Sequence, residues 1–238
     1  MTARFSGRVV LVAGGTGGLG RSVSRGFLDE GANVIVTYRR REELDFLRKE
    51  AGAEESRLDG READVTDEAA ARGLVDSVVA RHGRLDALVN TVGGYGAGKL
   101  WEQDEGLLDR MLDLNLRSGY ALARAAVPVM LREGHGAIVN VAAKAAIDHE
   151  GGVAAYAASK AAALAMMDSL ARDLKGTGVR VNSVLPSIID TEINRKAMPK
   201  ADFVKWPKPH DIARVILFLC SDDANVVHGA AIPVFGNA

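Results

Sequence analysis

Val9-Val10-Leu11-Val12-Ala13-Gly14-Gly15-Thr16-Gly17-Gly18-Leu19-Gly20 joins a short, wholly apolar run to a cluster of glycines and then to a segment of helical length. With no polar residue to interrupt it, Val9–Ala13 suits a strand buried on both faces. Glycines directly after such a strand permit a tight turn and a close backbone approach. The N–H groups that open the following helix then make a seat for an anion such as a pyrophosphate. A turn of this composition can also do no more than pack a helix closely on a sheet, so its placement between first strand and first helix is what gives it weight.

Outward from this stretch, strand-length apolar runs recur at Val34–Thr37, Ala87–Asn90, Ala137–Val141 and Arg180–Val184, with a weaker one near Leu58–Ala63 and a last near Ala230–Val234. Helical patterning fills 18–30, 41–51, 67–82, 103–132, 154–175 and 209–220. The alternation predicts an α/β fold, a single Rossmann-type doubly wound parallel sheet of about seven strands flanked by helices on both faces. No linker, repeat or composition break divides residues 1–238, so one dinucleotide-binding domain is expected.

Composition narrows the function. The 238 residues carry a formal charge of −1, which gives no footprint for nucleic acid or an acidic membrane surface. The five histidines show no metal-ligand spacing, and the single cysteine, Cys220, lies in an apolar run that suits a buried thiol. The opening residues carry no apolar leader and no run is long enough to span a bilayer, so a cytoplasmic protein is expected.

Two further stretches carry chemistry. Tyr156 and Lys160 stand four residues apart at the start of an Ala-rich helix, on one face and one turn from each other. A phenol titrates near 10 when unperturbed, and a neighbouring ammonium favours its phenolate, which would bring it towards a working range. Plain helix packing accounts for the same pair. At the end of the second strand, where an acidic residue would accept a ribose 2′-hydroxyl, the chain instead reads Thr37-Tyr38-Arg39-Arg40-Arg41. Guanidinium groups there suit a 2′-phosphate, or merely open the next helix in solvent. NADP(H) is therefore the preferred cofactor, with NAD(H) possible. Asp64-Val65, after the third strand, could border the adenine, while Thr66 or Asp67 could be a helix cap.

With these pieces placed, the chain resembles the short-chain dehydrogenase/reductase family along nearly its whole length. The resemblance rests on Gly14, Gly18 and Gly20, on Asp64, on Asn90-Thr91-Val92-Gly93, on Asn115 in Leu-Asn-Leu, on Tyr156 with Lys160, and on Pro186–Thr191. It implies that Tyr156 is the proton donor, that Lys160 binds the nicotinamide ribose and tunes the tyrosine, and that Asn115 holds a relay water. Gly14, Thr16, Gly17, Gly18, Leu19 and Gly20 would line the pyrophosphate, Tyr38 and Arg39 the adenosine ribose, Asp64 and Val65 the adenine. Asn90, Gly93, Pro186, Ile188 and Thr191 would complete the cofactor cleft. Asn115 could equally be a satisfied polar helix residue, and Thr191 the cap of a short helix. The family commonly forms homodimers or homotetramers, which the resemblance implies here.

One position departs. The family's catalytic serine, thirteen residues before the tyrosine, is Ala143 here. Loss of one preorganised donor to a developing oxyanion typically costs about 10²–10³ in rate. The segments Val92–Gly98, Ala143–Asp148 and Leu185–Trp206 are similar to the quinonoid dihydropteridine reductase branch, which also has alanine there, although that branch prefers NADH. The implied activity is hydride transfer to a small planar imine or quinonoid, dihydropteridine-like substrate, with a substrate loop at about 187–207. Tyr95 and Trp206 are candidate stacking faces or ordinary loop packing, and Lys144 could reach a ring edge or simply face solvent. An ordinary ketone or alcohol oxidoreductase with a weakened site, and a cofactor-binding sensor with vestigial activity, are the alternatives.

Overall fold

A computed structural model describes residues 3–237. Its centre is a seven-stranded sheet, every pairing parallel, in the order β3-β2-β1-β4-β5-β6-β7. The strands are β1 (Val9–Ala13), β2 (Asn33–Tyr38), β3 (Leu58–Glu62), β4 (Ala87–Asn90), β5 (Gly136–Val141), β6 (Val179–Pro186) and β7 (Ala231–Val234). The helices between them are α1 (Gly18–Asp29), α2 (Arg41–Ala51), α3 (Glu68–His82), α4 (Leu107–Leu112), α5 (Ser118–Glu133), α6 (Ala154–Asp173), α7 (Glu192–Ala197) and α8 (Pro209–Cys220).

Alternation along β1 shows why the sheet is covered twice. Val10 and Val12 enter an apolar cluster with Phe27 of α1, Leu44 of α2 and Ile216 of α8. Val9, Leu11 and Ala13 point the other way, into a cluster with Val75 of α3, Leu122 of α5 and Met167 of α6. Successive side chains of a strand point to opposite faces, so a strand buried on both reads as an unbroken apolar run. The strand order reverses between β1 and β4, and open α/β sheets bind ligands beyond the carboxyl ends of the strands at such a switch point.

One local feature differs from the sequence reading. The segment expected as one helix over 103–132 begins only at Leu107, and Asp113–Arg117 winds as a π-helical stretch between α4 and α5. Such insertions recur at functional sites, and this one carries Asn115. The short helix α7 was visible only as a possible cap at Thr191, whose side chain does accept from the Asn194 N–H at 3.3 Å. Among the described residues no helix is long and apolar enough to cross a membrane, and no group of three or more His, Cys, Asp or Glu could hold a metal ion.

Candidate active site

The glycine turn is shaped by contacts that leave no room for side chains. Gly14 adopts φ +72°, and its N–H donates to Thr37 Oγ1 at 2.8 Å. A Cβ on Gly20 would lie 2.0 Å from the Gly14 carbonyl oxygen, and one on Gly15 would lie 2.5 Å from Val36 Cγ1. The turn therefore packs α1 directly against β1 and β2. The cap of α1 is Gly17, with no side-chain bond to the first amides and no acidic residue in the first turn. An uncapped helix N-terminus at the switch point fits a dinucleotide pyrophosphate. Leu19 is buried in the core beneath the turn.

The end of β2 is less uniform than its sequence. Arg40 pairs with Glu43 and Arg41 with Asp45, whereas Arg39 is exposed and has no ion pair among the described residues. Tyr38 packs partly against the core. Thr16 is buried and donates to Glu43 Oε2 at 3.1 Å. Asp64 is exposed; its carboxylate accepts from the Thr66 hydroxyl at 2.7 Å and the Thr66 N–H at 3.0 Å, which holds it below its usual pKa. Val65 is buried, and the cap of α3 is Asp67 rather than Thr66, accepting from the Ala70 N–H at 2.7 Å.

After β4 the chain is tied down by side chains. Asn90 donates to Asn140 Oδ1 at 3.1 Å and accepts from the Val92 N–H at 3.1 Å, so it shapes the turn from within the core. Thr91 donates to the Ala13 carbonyl at 2.8 Å. Asn115, from the π-helical stretch, accepts from the Gly94 N–H at 2.9 Å and donates to the Gly94 carbonyl at 3.1 Å and to Ser159 Oγ at 3.0 Å. A Cβ on Gly93 would meet Asn115 Oδ1 at 2.8 Å and Lys160 Nζ at 3.1 Å, so this bare loop lies over both. The side chain of Asn115 thus clamps the loop.

Tyr156 and Lys160 both come from α6, but they do not behave as the spacing alone suggests. Lys160 is buried and donates to the Val141 carbonyl oxygen at 3.0 Å. Burial pulls its pKa down to about 8. The Tyr156 phenol is pushed up to about 12, first by burial and then by Tyr95. The expectation of a lysine-lowered phenol is thereby corrected: desolvation of the ring dominates, while the ammonium gives one of its three N–H groups to a strand carbonyl. Tyr95 meets Tyr156 edge to face with ring centroids 5.0 Å apart, and leaves most of its own ring exposed.

Ala143 is buried and extended. The nearby Ser159 does not replace a hydroxyl there, since it donates to the Tyr156 backbone carbonyl at 2.8 Å and accepts from Asn115. Lys144 lies 3.7 Å from Asp148 and 5.7 Å from the Phe235 ring centre.

The segment beyond β6 is organised by Asp190. Its side chain is 3% exposed and takes charge-assisted bonds from both Arg195 and Lys208. Those two cations, Arg195 foremost, hold its carboxyl far below the usual range. The backbone closes around the same point, with the Asp190 N–H donating to the Pro207 carbonyl at 3.0 Å. Trp206 is buried against Phe203, centroids 5.0 Å apart, and so has little surface left to stack on a ligand. Pro186 is buried at the end of β6, Ile188 is exposed, and Thr191 sits so close to the glycine turn that a Cβ on Gly18 would touch its Cγ2 at 2.9 Å. Asp190→Asn is expected to loosen this segment. Proteolytic cutting within 187–207 should accelerate and substrate KM rise about fivefold, with kcat less affected; a protease pattern and KM equal to those of the unsubstituted protein would deny the segment that anchor.

Glu43, Ser159 and Asp190 are the site contacts that sequence reading missed. Ser159 left a signal in being one turn from Tyr156 on the same helix, and Asp190 in lying within Pro186–Thr191, though neither was given a role. A separate cleft of about 290 Å³, between α6, β6 and residues 229–231, includes none of the candidate site residues.

The short chain dehydrogenase family pattern matches residues 8–202. The chain is 34% identical to the 3-oxoacyl-(acyl-carrier-protein) reductase of Thermotoga maritima, over 98% of either chain. It is 32% identical to the meso-2,3-butanediol dehydrogenase of Serratia marcescens, over 99% of this chain and 96% of that one. The solved structure of ElxO with NADP bound superposes with a TM-score of 0.91 at 26% identity, covering 96% of this chain and 97% of that one. The names of the two relatives describe an oxoacyl reductase and a diol dehydrogenase, not a dihydropteridine reductase.

Proposed function

The chain belongs to the short-chain dehydrogenase family, and from that premise we propose that it is an NADP(H)-preferring reductase of small, planar imine or quinonoid substrates of the dihydropteridine kind. The observation that carries the substrate class is Ala143: thirteen residues before Tyr156, where the family places a hydroxyl, stands a buried methyl, and Ser159 is engaged by Asn115. A conjugated imine develops less oxyanion than a ketone, so it loses less by that substitution. Support for the cofactor is the uncapped start of α1 and the guanidinium of Arg39, exposed without an ion pair among the described residues.

With the glycine turn at its pyrophosphate and Asn90, Gly93, Pro186, Ile188 and Thr191 along its cleft, a bound nicotinamide cofactor would supply the hydride. Tyr156 donates the proton from its hydroxyl to substrate nitrogen, and its raised pKa keeps that proton in place until transfer. Lys160, one helical turn away, offsets the charge of the phenolate that remains. Its lowered pKa lets it return a proton to the phenolate oxygen. Asn115 keeps the Gly93–Gly94 loop against Lys160. The segment at 187–207, with Ile188 and Thr191 at its start, closes the site against water. A homodimer or homotetramer is the assembly this reading carries, supported by Leu108, Tyr120 and Leu131 standing exposed along α4 and α5. The test is an assay with NADPH and quinonoid dihydropterin, in which no rate above the uncatalysed background, with cofactor bound, refutes the substrate class.

A second reading, an ordinary carbonyl or alcohol oxidoreductase, is favoured by the activities named for the two relatives. Under it, Ala143→Ser restores a donor and ketone turnover should rise about 10- to 100-fold. Under the imine reading the same substitution leaves dihydropterin reduction within about twofold. The two assays on one variant separate the alternatives.

A further inference from the structure

We propose that Glu43 is a specificity-determining residue for the cofactor, opposing a 2′-phosphate and favouring a free ribose 2′-hydroxyl; the inference rests on the nicotinamide-dependent reading above. By sequence the end of β2 runs into three arginines, Arg39 to Arg41, before Glu42 and Glu43. In the folded chain the first turn of α2 brings a carboxylate back to the glycine turn, where Glu43 Oε2 accepts from the buried Thr16 hydroxyl at 3.1 Å. Its other oxygen accepts from Arg40 Nε at 2.9 Å. Arg41 is meanwhile engaged by Asp45 at 3.2 Å. Of three consecutive guanidinium groups, Arg39 alone is exposed without an ion pair among the described residues.

Among the described residues the adenosine pocket therefore presents one free cation and one carboxylate, not three cations. An ionised carboxylate only accepts hydrogen bonds, so it can take a ribose hydroxyl but not a phosphate oxygen. A phosphate carries about −1.5 to −2 charges at neutral pH and is repelled by it. Glu43 also neutralises Arg40, which would otherwise reinforce Arg39. The preference for NADPH over NADH is accordingly small, set by Arg39 against Glu43.

The experiment titrates NADPH and NADH separately into the purified protein, following nicotinamide fluorescence. Glu43→Gln, which keeps the shape of the side chain and removes its charge, should move the ratio of affinities about tenfold towards NADPH. Glu43→Ala removes the same charge without adding an amide and should move it the same way. Glu43→Asp should hold the ratio within about threefold of the unsubstituted value, and about 0.5 M salt should shrink the effect of Glu43→Gln. Arg39→Gln should move the ratio in the opposite direction. Normal affinities for both cofactors with a ratio that Glu43→Gln and Glu43→Ala leave within about twofold, or shift towards NADH, would overturn the role of Glu43 alone. Failure of the unsubstituted protein to bind either nucleotide would overturn the oxidoreductase reading with it.

Discussion

Tyr156→Phe should lower turnover about 10³-fold, within the usual effect of losing a positioned general acid, while NADPH affinity and melting temperature stay unchanged. The side chain gives an edge contact to Tyr95, which phenylalanine retains, and its hydroxyl makes no hydrogen bond among the described residues. The missing atom is thus one that the fold does not use. Retained turnover would remove the phenol as proton donor; the sensor reading instead expects Tyr156→Phe to leave cellular function untouched. The pH profile of the unsubstituted enzyme carries a second signature. Both groups act in their protonated forms, so reductive activity is lost on the alkaline side. The limb should fall through about 8, as Lys160 loses its proton, and not near 12, where the phenol ionises. A rate that held flat from pH 7 to pH 10 would exclude Lys160 from proton return.

Asp86→Ala should destabilise the protein by about 2–3 kcal/mol, the cost of leaving buried donors without their charged acceptor. Asp86 lies just before β4, 4% exposed, and its carboxylate accepts from the Val9 N–H at 2.8 Å, from Arg84 Nε at 2.9 Å and from His135 Nε2 at 3.0 Å. Its own backbone carbonyl accepts from the Ala137 N–H at 3.0 Å, so one residue ties the amino ends of β1, β4 and β5. Burial pushes its pKa up, but the bonds from Arg84, Val9 and His135 outweigh that and leave it lowered. A lowered carboxylate contributes stability that is complete above its unfolded value of about 3.9 and is lost as pH falls towards the folded one. Melting temperature should therefore drop by roughly 5–10 °C at pH 7, and the gap between variant and parent should narrow in strong acid. The activity of the folded variant should be unchanged, because Asp86 lies at the opposite end of the strands from Tyr156. Equal melting temperatures at pH 7 would show that the cluster contributes nothing.

The architecture was legible because its strands are buried on both faces. Val9–Ala13 and Ala87–Asn90 coincide with β1 and β4, and 41–51 and 209–220 with α2 and α8. Continuous apolar runs mark such strands with little ambiguity, and one-sided helices show their period. The π-helical turn at Asp113–Arg117 left no comparable mark: adding a residue to a helical turn changes hydrogen bonding without breaking the apolar pattern. The weak run near Leu58–Ala63 proved to be β3, an edge strand whose Asp59, Arg61 and Glu62 suit its place at the sheet margin.

Local order along the chain was enough to determine the doubly wound sheet, the glycine turn at its switch point, and the placing of Tyr156 and Lys160 on one helix. Each depends on neighbours a few residues apart, whose geometry repeats wherever the pattern does. Only the tertiary structure decided the electrostatics: that Lys160 binds the Val141 carbonyl, that Tyr95 and burial raise the phenol, that Asp190 collects Arg195 and Lys208, and that Glu43 enters a pocket that reads as basic. Charge and desolvation act through space, between groups that the fold alone brings together, so no spacing along the chain encodes them.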